Sequence, residues 1–190
     1  KELEFTFNNI RQYNRNTLLR EDPSVDGLKT GHTAEAGYCL VASALRGDMR
    51  LIAVVMGTES TKARKNDAAS LFNYGFNFYQ TKTLFEHMTE LAKPRIWKGQ
   101  QDYVPVGILE KTVLTLQRGK HDSLVTSVTV NEKLVAPMAA GDPVGTVTVS
   151  LDDKPVLQVP VVALAAVEPG GFFARLWDII LMLIASLFGP

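Results

Sequence analysis

The strongest chemical signal in the sequence is a run of three residues, Lys29, Thr30 and Gly31, at the entry of a predicted strand. A strand exposed at this point presents an ammonium group and a hydroxyl group to an anionic substrate. The glycine has no side chain, so a substrate can lie close to the backbone there. The triplet alone is also compatible with a solvated lysine that precedes a strand. The surrounding sequence distinguishes a substrate-binding triplet from this alternative.

Few other residues could carry chemistry. Cys39 is the only cysteine, which excludes a disulfide or a cysteine-based zinc site within this sequence, and its apolar neighbours predict a buried side chain. His87 and His121 have no partner at metal-ligand spacing, so we interpret both as surface histidines. The sequence holds 20 Lys and Arg and 20 Asp and Glu residues, a balance that argues against a nucleic-acid partner. We expect no metal and no cofactor.

The elements that must position the Lys-Thr-Gly run lie within residues 1–80. Apolar, β-prone runs at 37–45 and 50–57 are separated by a short turn and predict a hairpin. Residues 61–79 have apolar side chains near helical spacing and predict an amphipathic helix. Residues 14–31 are rich in Asn, Asp, Pro and Gly, and they predict a loop that leads into a strand.

Residues 81–168 predict a small all-β domain with sandwich-like or barrel-like packing. Val and Thr alternate at 111–116, 123–130 and 145–151, with Gly, Pro and Asp between these runs. Residues 159–167 are almost all apolar and predict a buried strand.

The last segment, residues 169–190, predicts an amphipathic helix. Pro169-Gly170-Gly171 interrupts the β pattern, and we expect this break to separate the helix from the domain before it. The uncharged residues after Asp178 are too few to span a bilayer. We expect residues 172–188 to lie in a membrane surface, and the alternative is a helix that packs on its own protein or in an oligomer. The helix would carry one narrow, less apolar stripe: Arg175, Asp178, Met182 and Ser186.

The Lys-Thr-Gly run stands in a longer context, Asp26-Gly27-Leu28-Lys29-Thr30-Gly31-His32-Thr33, followed by Ala36-Gly37-Tyr38 and preceded by Asn14-Arg15-Asn16. In this context the sequence resembles the low-molecular-mass penicillin-binding proteins, the D-alanyl-D-alanine carboxypeptidases. Lys-Thr-Gly is one of three active-site motifs of such serine acyl-transfer enzymes. The resemblance covers the whole chain and is closest to the penicillin-binding protein 5/6-like group, which has a second β domain and a C-terminal membrane anchor.

The resemblance implies an α+β fold in three parts. Residues 1–80 would be the C-terminal part of a serine DD-peptidase/β-lactamase-like catalytic domain. Residues 81–168 would be a small all-β, sandwich-like domain, and residues 169–190 an amphipathic membrane-anchor helix. It also implies a peripheral protein of peptidoglycan biosynthesis and cell shape, on the periplasmic face of the bacterial inner membrane.

The resemblance implies roles for individual residues as well. Lys29 would stand beside a nucleophilic serine and sustain a positive field there. Thr30 would hydrogen-bond the carboxylate of the terminal D-alanine, and Gly31 belongs to the same catalytic strand. The backbone N–H of His32 would be one donor of the oxyanion hole.

Two arginines are further candidates for substrate binding by the same resemblance. Arg64 matches the arginine that assists the substrate carboxylate, a role that suits the fork of a guanidinium group. Arg15 matches an arginine near the floor of the active site. The alternative for Arg15 is a structural ion pair with Asp22 or Asp26.

Two motifs of the family are missing from this sequence. None of its serines has lysine three residues later, and none has asparagine two residues later. We therefore expect the chain alone to be inactive, and we expect its partner to be an N-terminal segment that carries the nucleophilic serine. The complete enzyme would be a serine-type D-Ala-D-Ala carboxypeptidase that removes the terminal D-alanine from peptidoglycan stem pentapeptides and is a target of β-lactam antibiotics. The alternative is a non-catalytic, membrane-tethered β module that binds the cell wall or a partner protein.

Overall fold

The structure is a computed structural model that describes the backbone of residues 1–188 and the side chains of residues 1–184. Strands hold 51% and helices 21% of the residues, which confirms the predicted mixture of helix and sheet. The chain divides into two compact units. The first unit comprises residues 1–82 and 115–118, and the second comprises residues 83–114 and the chain from residue 119 onward.

The first unit contains five complete strands and two helices: β1 Glu4–Phe7, β2 Ile10–Tyr13, α1 Leu18–Glu21, β3 Val25–Thr33, β4 Gly37–Arg46, β5 Met49–Thr58 and α2 Thr61–Phe78. Strands β1 and β2 form a hairpin. Strands β3, β4 and β5 form an antiparallel sheet in chain order, so β4 is central and β3 lies at one edge.

One face of this sheet packs against α2, because a strand places every second side chain on one face and a helix places about every fourth. The buried positions alternate along β4 and recur every fourth residue along α2: Leu40, Ala42 and Ala44, and Ala68, Phe72 and Phe76. The hydroxyl of Ser60 accepts a hydrogen bond from the backbone N–H of Ala63 at 3.0 Å and caps the start of α2. The opposite face of β5 is exposed, with apolar side chains at Ile52, Val54 and Met56.

The sequence predicted the longer elements of this unit and missed the shorter ones. The hairpin of β4 and β5 and the helix α2 are confirmed. Residues 14–31, predicted as a loop that leads into a strand, contain α1 and most of β3. The hairpin of β1 and β2 was not predicted. Its turn residues, Asn8 and Asn9, have φ angles of 48° and 61°, in the left-handed region that asparagine tolerates.

The remaining elements are β6 Tyr79–Phe85, β7 Thr89–Ala92, β8 Ile96–Trp97, β9 Val106–Ile108, β10 Thr112–Gln117, a 3-10 turn Lys120–Ser123, β11 Leu124–Val130, β12 Leu134–Val135, β13 Pro143–Leu151, β14 Lys154–Ala163 and α3 Phe172–Phe188. Five of these strands form one sheet in the order β11-β13-β14-β9-β7. Strands β8 and β12 pair in parallel, and β6 pairs with β10.

The predicted all-β character of this region is confirmed, and its core is rich in valine. Alternate side chains of β13 are buried together with residues of β14 and β9: Val147, Val149, Val161, Val106 and Ile108. The strand predicted at 159–167 begins earlier and ends at Ala163. The prediction of a surface histidine is wrong for His121, which is 8% exposed and has Nε2 3.0 Å from the carbonyl oxygen of Leu114.

Asp178 connects helix α3 to the rest of the second unit. Its carboxylate accepts hydrogen bonds from the backbone N–H of Lys98 at 2.6 Å and from the guanidinium of Arg95 at 3.3 Å. The Asp178 side chain is 16% exposed, whereas Phe172 and Trp177 are 75% and 62% exposed. The expectation that the break before α3 separates the helix from the domain before it is therefore wrong.

Only part of the less apolar stripe of α3 packs against the rest of the second unit. Met182, like Asp178, is half-buried, while Arg175 is exposed. The side chain of Ser186 and the rest of the predicted membrane-facing segment beyond residue 184 lie outside the described side chains. Within the described chain, no helix is both long enough and apolar enough to cross a bilayer.

Replacing Phe72 by alanine should lower the free energy of unfolding of the first unit by about 3–5 kcal/mol, because the lost ring leaves a cavity between α2 and the sheet. Phe72 is 1% exposed, and Leu71 on the same helix is 49% exposed. The matched control, Leu71→Ala, should therefore change that free energy by less than about 1 kcal/mol. Hydrogen exchange at the amides of β4 and α2 measures both values, and equal losses would contradict this packing.

Candidate active site

A cleft in the first unit brings together all six residues that the sequence singled out. Its volume is about 570 Å³. The cleft is lined by the six predicted residues and two others: Arg15, Lys29, Thr30, Gly31, His32 and Arg64, with Tyr38 and Thr61. The predicted residues come from a loop, a strand and a helix, so the fold and not the sequence spacing alone assembles them.

The Lys-Thr-Gly run lies on β3, the edge strand of the sheet. On its inner side β3 pairs with β4, where Lys29 faces Val41 and His32 faces Tyr38. On its outer side β3 has no neighbouring strand among the described residues. The ammonium group of Lys29 is exposed and donates a hydrogen bond to the carbonyl oxygen of Thr30 at 2.6 Å. This edge can therefore receive an extended peptide, with a lysine ammonium group beside it.

Arg64 joins the segments that form the cleft. Its side chain is buried, at 4% exposed, and its guanidinium donates hydrogen bonds to the carbonyl oxygens of Gly31 at 3.1 Å, Cys39 at 3.3 Å and Arg15 at 3.5 Å. The guanidinium carbon also lies 5.6 Å from the centre of the Tyr38 ring. One side chain of α2 thus connects β3, β4 and the loop that carries Arg15.

Two asparagines fix the loop around Arg15. The side-chain amide of Asn16 donates to the carbonyl oxygen of Gly27 at 3.2 Å, and that of Asn14 donates to the carbonyl oxygen of Glu2 at 3.0 Å. The Asn14 side-chain oxygen also accepts a hydrogen bond from the backbone N–H of Asn16 at 2.9 Å. Asn16 is 4% exposed, whereas Arg15 between the two asparagines is exposed. The flanking residues therefore hold the loop while the arginine stays accessible.

The alternative for Arg15, an ion pair with a nearby aspartate, is wrong. Asp22 pairs with Arg46 at 3.0 Å, and Asp26 pairs with Arg50 at 2.8 Å. The hydrogen bond from Arg50 holds the pKa of the Asp26 carboxyl below its ordinary value, which keeps this carboxylate charged and engaged. Both aspartates are taken by the hairpin of β4 and β5, and the charge of Arg15 is left to the cleft.

The electrostatics of the cleft favour an anion. Its described lining contains the basic residues Arg15, Lys29 and Arg64 and no acidic residue. Helix α2 begins at Thr61, so the positive end of its dipole lies at the same cleft. A carboxylate accepts hydrogen bonds on both of its oxygens, so it suits the N–H donors of these basic side chains.

Two lining residues were missed in the sequence. The ring centres of His32 and Tyr38 are 4.0 Å apart, because the register of β3 and β4 places these residues opposite each other. Thr61 lies three residues before Arg64, on the same side of α2. The helical spacing between Thr61 and Arg64 could have identified Thr61 as a neighbour of the site. The short turn between β3 and β4, which sets their register, could have identified Tyr38.

The structure offers little for a metal ion. No group of three or more His, Cys, Asp or Glu side chains comes together in the part of the chain that is described. Cys39, predicted to be buried, is half-buried, and its thiol lies 3.4 Å from the carbonyl oxygen of Ala36.

Comparison with known families identifies two that match the chain. Residues 1–60 match the family described as D-alanyl-D-alanine carboxypeptidase. Residues 79–169 match the family described as penicillin-binding protein 5, C-terminal domain. The chain belongs to the D-alanyl-D-alanine carboxypeptidase family of penicillin-binding proteins. The resemblance stated from the sequence is thereby confirmed.

Several relatives cover nearly the whole chain. The chain is 44% identical to the D-alanyl-D-alanine carboxypeptidase DacC of Escherichia coli and 41% identical to DacA of the same organism, each over 100% of its length. The solved structure of penicillin binding protein 5 from Haemophilus influenzae is 36% identical, covers 88% of the chain and superposes with a TM-score of 0.77. The chain spans about half the length of these relatives, 48% and 47% of the two enzymes and 49% of the solved structure.

Replacing Arg64 by alanine should lower the free energy of unfolding of the first unit by about 2–4 kcal/mol, because three carbonyl groups lose their donor in a buried position. Arg64→Lys should restore only part of this loss, since an ammonium group lacks the planar fork. Lys62→Ala, an exposed position on the same helix, should change the value by less than about 0.5 kcal/mol. Hydrogen exchange of β3 and β4 measures all three, and a loss no larger for Arg64→Ala than for Lys62→Ala would contradict the joining role.

Proposed function

We propose that this chain supplies the Lys-Thr-Gly part of the active site of a serine-type D-Ala-D-Ala carboxypeptidase, which removes the terminal D-alanine from peptidoglycan stem pentapeptides. The observation that carries the proposal is the basic cleft beside the open edge of β3, where Lys29, Thr30 and His32 follow one another along the strand. Membership of the carboxypeptidase family supports it independently.

In this proposal the peptide substrate adds to the open edge of β3 as an extended strand. The hydroxyl of Thr30 donates to the terminal carboxylate of the substrate, and the backbone N–H of His32 donates to the oxygen of the scissile carbonyl as negative charge develops there. Arg15 is the exposed guanidinium of the cleft, so it can approach the carboxylate directly. Arg64, with three of its N–H groups engaged, acts on the carboxylate through its charge and holds the strand in place.

We assign the nucleophile to a part of the enzyme outside these 190 residues, because no serine here has lysine three residues later. The serine oxygen attacks the carbonyl carbon of the D-Ala-D-Ala bond, and the bond to nitrogen breaks as the departing D-alanine takes a proton. Water then hydrolyses the serine ester. Lys29 maintains the positive field at this point, and a β-lactam that enters the same cleft would form a slowly hydrolysed ester. The exposed apolar face of β5 offers the rest of the enzyme a surface on which to pack, since Met56 is 72% exposed there.

We also propose that the enzyme is peripheral to the periplasmic face of the bacterial inner membrane and that α3 lies in the membrane surface. The support is the distribution of exposure along α3. Asp178 faces the second unit, whereas large apolar side chains point away from it, with Phe173 at 83% and Leu183 at 58% exposed. An amphipathic helix with this distribution binds the boundary between lipid headgroups and acyl chains.

Replacing Lys29 by alanine should slow acylation by a fluorescent penicillin about 10²–10⁴-fold, the scale of a positioned electrostatic or proton-transfer group. The measurement uses the polypeptide that contains both this chain and the Ser-x-x-Lys sequence. Lys93→Ala in the second unit is the control and should leave the rate unchanged. A rate for Lys29→Ala within tenfold of wild type would refute the role of Lys29. A wild-type enzyme that is never labelled would favour the non-catalytic β module instead.

Placing aspartate at Ile180 or Leu183 should weaken binding to zwitterionic phosphatidylcholine vesicles at least about tenfold, because each change removes buried apolar area and adds a charge that resists burial. Arg175→Ala should weaken it less than about threefold. Vesicle co-sedimentation at low and high salt gives these values, and binding to this lipid should resist salt because it is mainly hydrophobic. Binding that survives both aspartate substitutions would mean that α3 packs against protein.

A further inference from the structure

A hollow of about 280 Å³ lies beside α3 in the second unit. It is lined by two basic and three apolar side chains: Lys98, Lys133, Ile179, Met182 and Leu183. The lysines come from the chain that follows β8 and the chain that precedes β12, and the apolar side chains come from α3. The hollow thus combines two positive charges with an apolar wall in a space large enough for a phosphate group and the carbon atoms next to it.

Neither ammonium group that lines the hollow is neutralised by a side chain that the structure describes. Neither Lys98 nor Lys133 forms an ion pair or a side-chain hydrogen bond with any described residue. The carboxylate of Asp178, on α3, already accepts hydrogen bonds from the Lys98 backbone N–H at 2.6 Å and the Arg95 guanidinium at 3.3 Å. Two ammonium groups that line one hollow repel each other, and an anion bound there reduces that repulsion.

The apolar wall decides which anion fits. A hydrated inorganic ion gains nothing from Ile179, Met182 and Leu183, and it would have to lose water against them. A phospholipid carries both parts that the hollow presents, a phosphate for the lysines and a hydrocarbon region for the aliphatic side chains. We propose that Lys98, Lys133 and the adjoining face of α3 form a binding site for the headgroup phosphate of an anionic phospholipid. The proposal rests on the proposed membrane association of α3.

The contact of Asp178 gives this site its geometry. It fixes α3 against the backbone at Lys98, so one wall of the hollow is in place before lipid binds. Leu183, at 58% exposed, lines the hollow and also belongs to the outward apolar surface of the helix. A lipid in the hollow therefore lies at the same depth as the side chains that enter the bilayer.

The test compares co-sedimentation of the full chain with phosphatidylcholine vesicles and with vesicles that also contain phosphatidylglycerol. Lys98→Gln and Lys133→Gln should each weaken binding to the anionic vesicles about fivefold, and the pair about 25-fold, with no change on phosphatidylcholine. Lys154→Gln is the matched control. Lys154 is exposed at the start of β14 and does not line the hollow, so this change should have less than a twofold effect.

The outcomes separate this inference from the proposal on which it rests. A wild-type chain that binds neither kind of vesicle would overturn the membrane proposal itself. A wild-type chain that binds both, with lysine variants that lose no more than Lys154→Gln, would overturn the lipid site alone. The third outcome concerns the tighter binding to anionic vesicles than to phosphatidylcholine. If excess inorganic phosphate abolishes this difference and chloride at equal ionic strength does not, the lysines bind a small anion and the lipid site is overturned.

Discussion

The buried guanidinium of Arg64 is the interaction on which the cleft depends. Burying a charged group is costly unless polar partners surround it, and here the partners are the carbonyl oxygens of Gly31, Cys39 and Arg15. These carbonyls lie 33, 25 and 49 residues before Arg64 in the sequence, so one side chain of α2 holds the strand, the hairpin and the loop together. The same charge, together with those of Arg15 and Lys29, makes the cleft positive, because no carboxylate lines it among the described residues. Arg64 therefore contributes both to the assembly of the site and to its attraction for an anion.

How much could be predicted from the sequence depended on the length over which each pattern repeats. The hairpin of β4 and β5 and the helix α2 are long enough to show their periods, and Lys-Thr-Gly is a motif with a chemical reason. Helix α1 has only four residues, too few for a helical period. The alternative ion pair of Arg15 with Asp22 or Asp26 was wrong because the hairpin of β4 and β5 brings Arg46 and Arg50 to these aspartates. His121 is buried through a contact with a carbonyl group, which no side-chain pattern encodes.

The segment before α3 shows that a break in sequence pattern need not be a break in structure. Gly170 donates its backbone N–H to the carbonyl oxygen of Lys98 at 2.8 Å, and Glu168 accepts from the N–H of Gln100 at 2.9 Å. Together with the contact of Asp178, these bonds tie the helix to the same short stretch of chain. Gly170 serves a close backbone approach here, since a Cβ at this position would lie 2.6 Å from the carbonyl oxygen of Gly99. The backbone at Lys98 is held beside α3 by the same bonds.

The open edge of β3 has a cost that its charge helps to limit. A strand edge with unpaired N–H and C=O groups accepts any extended chain, including a second copy of the same protein, and such pairing leads to aggregation. Lys29 and Arg15 place positive groups along this edge within the described chain, and two copies meeting edge to edge would bring like charges together. A short peptide that ends in a carboxylate meets no such repulsion. The charges that would draw in the substrate thereby also discourage self-association at the one edge that has to stay open.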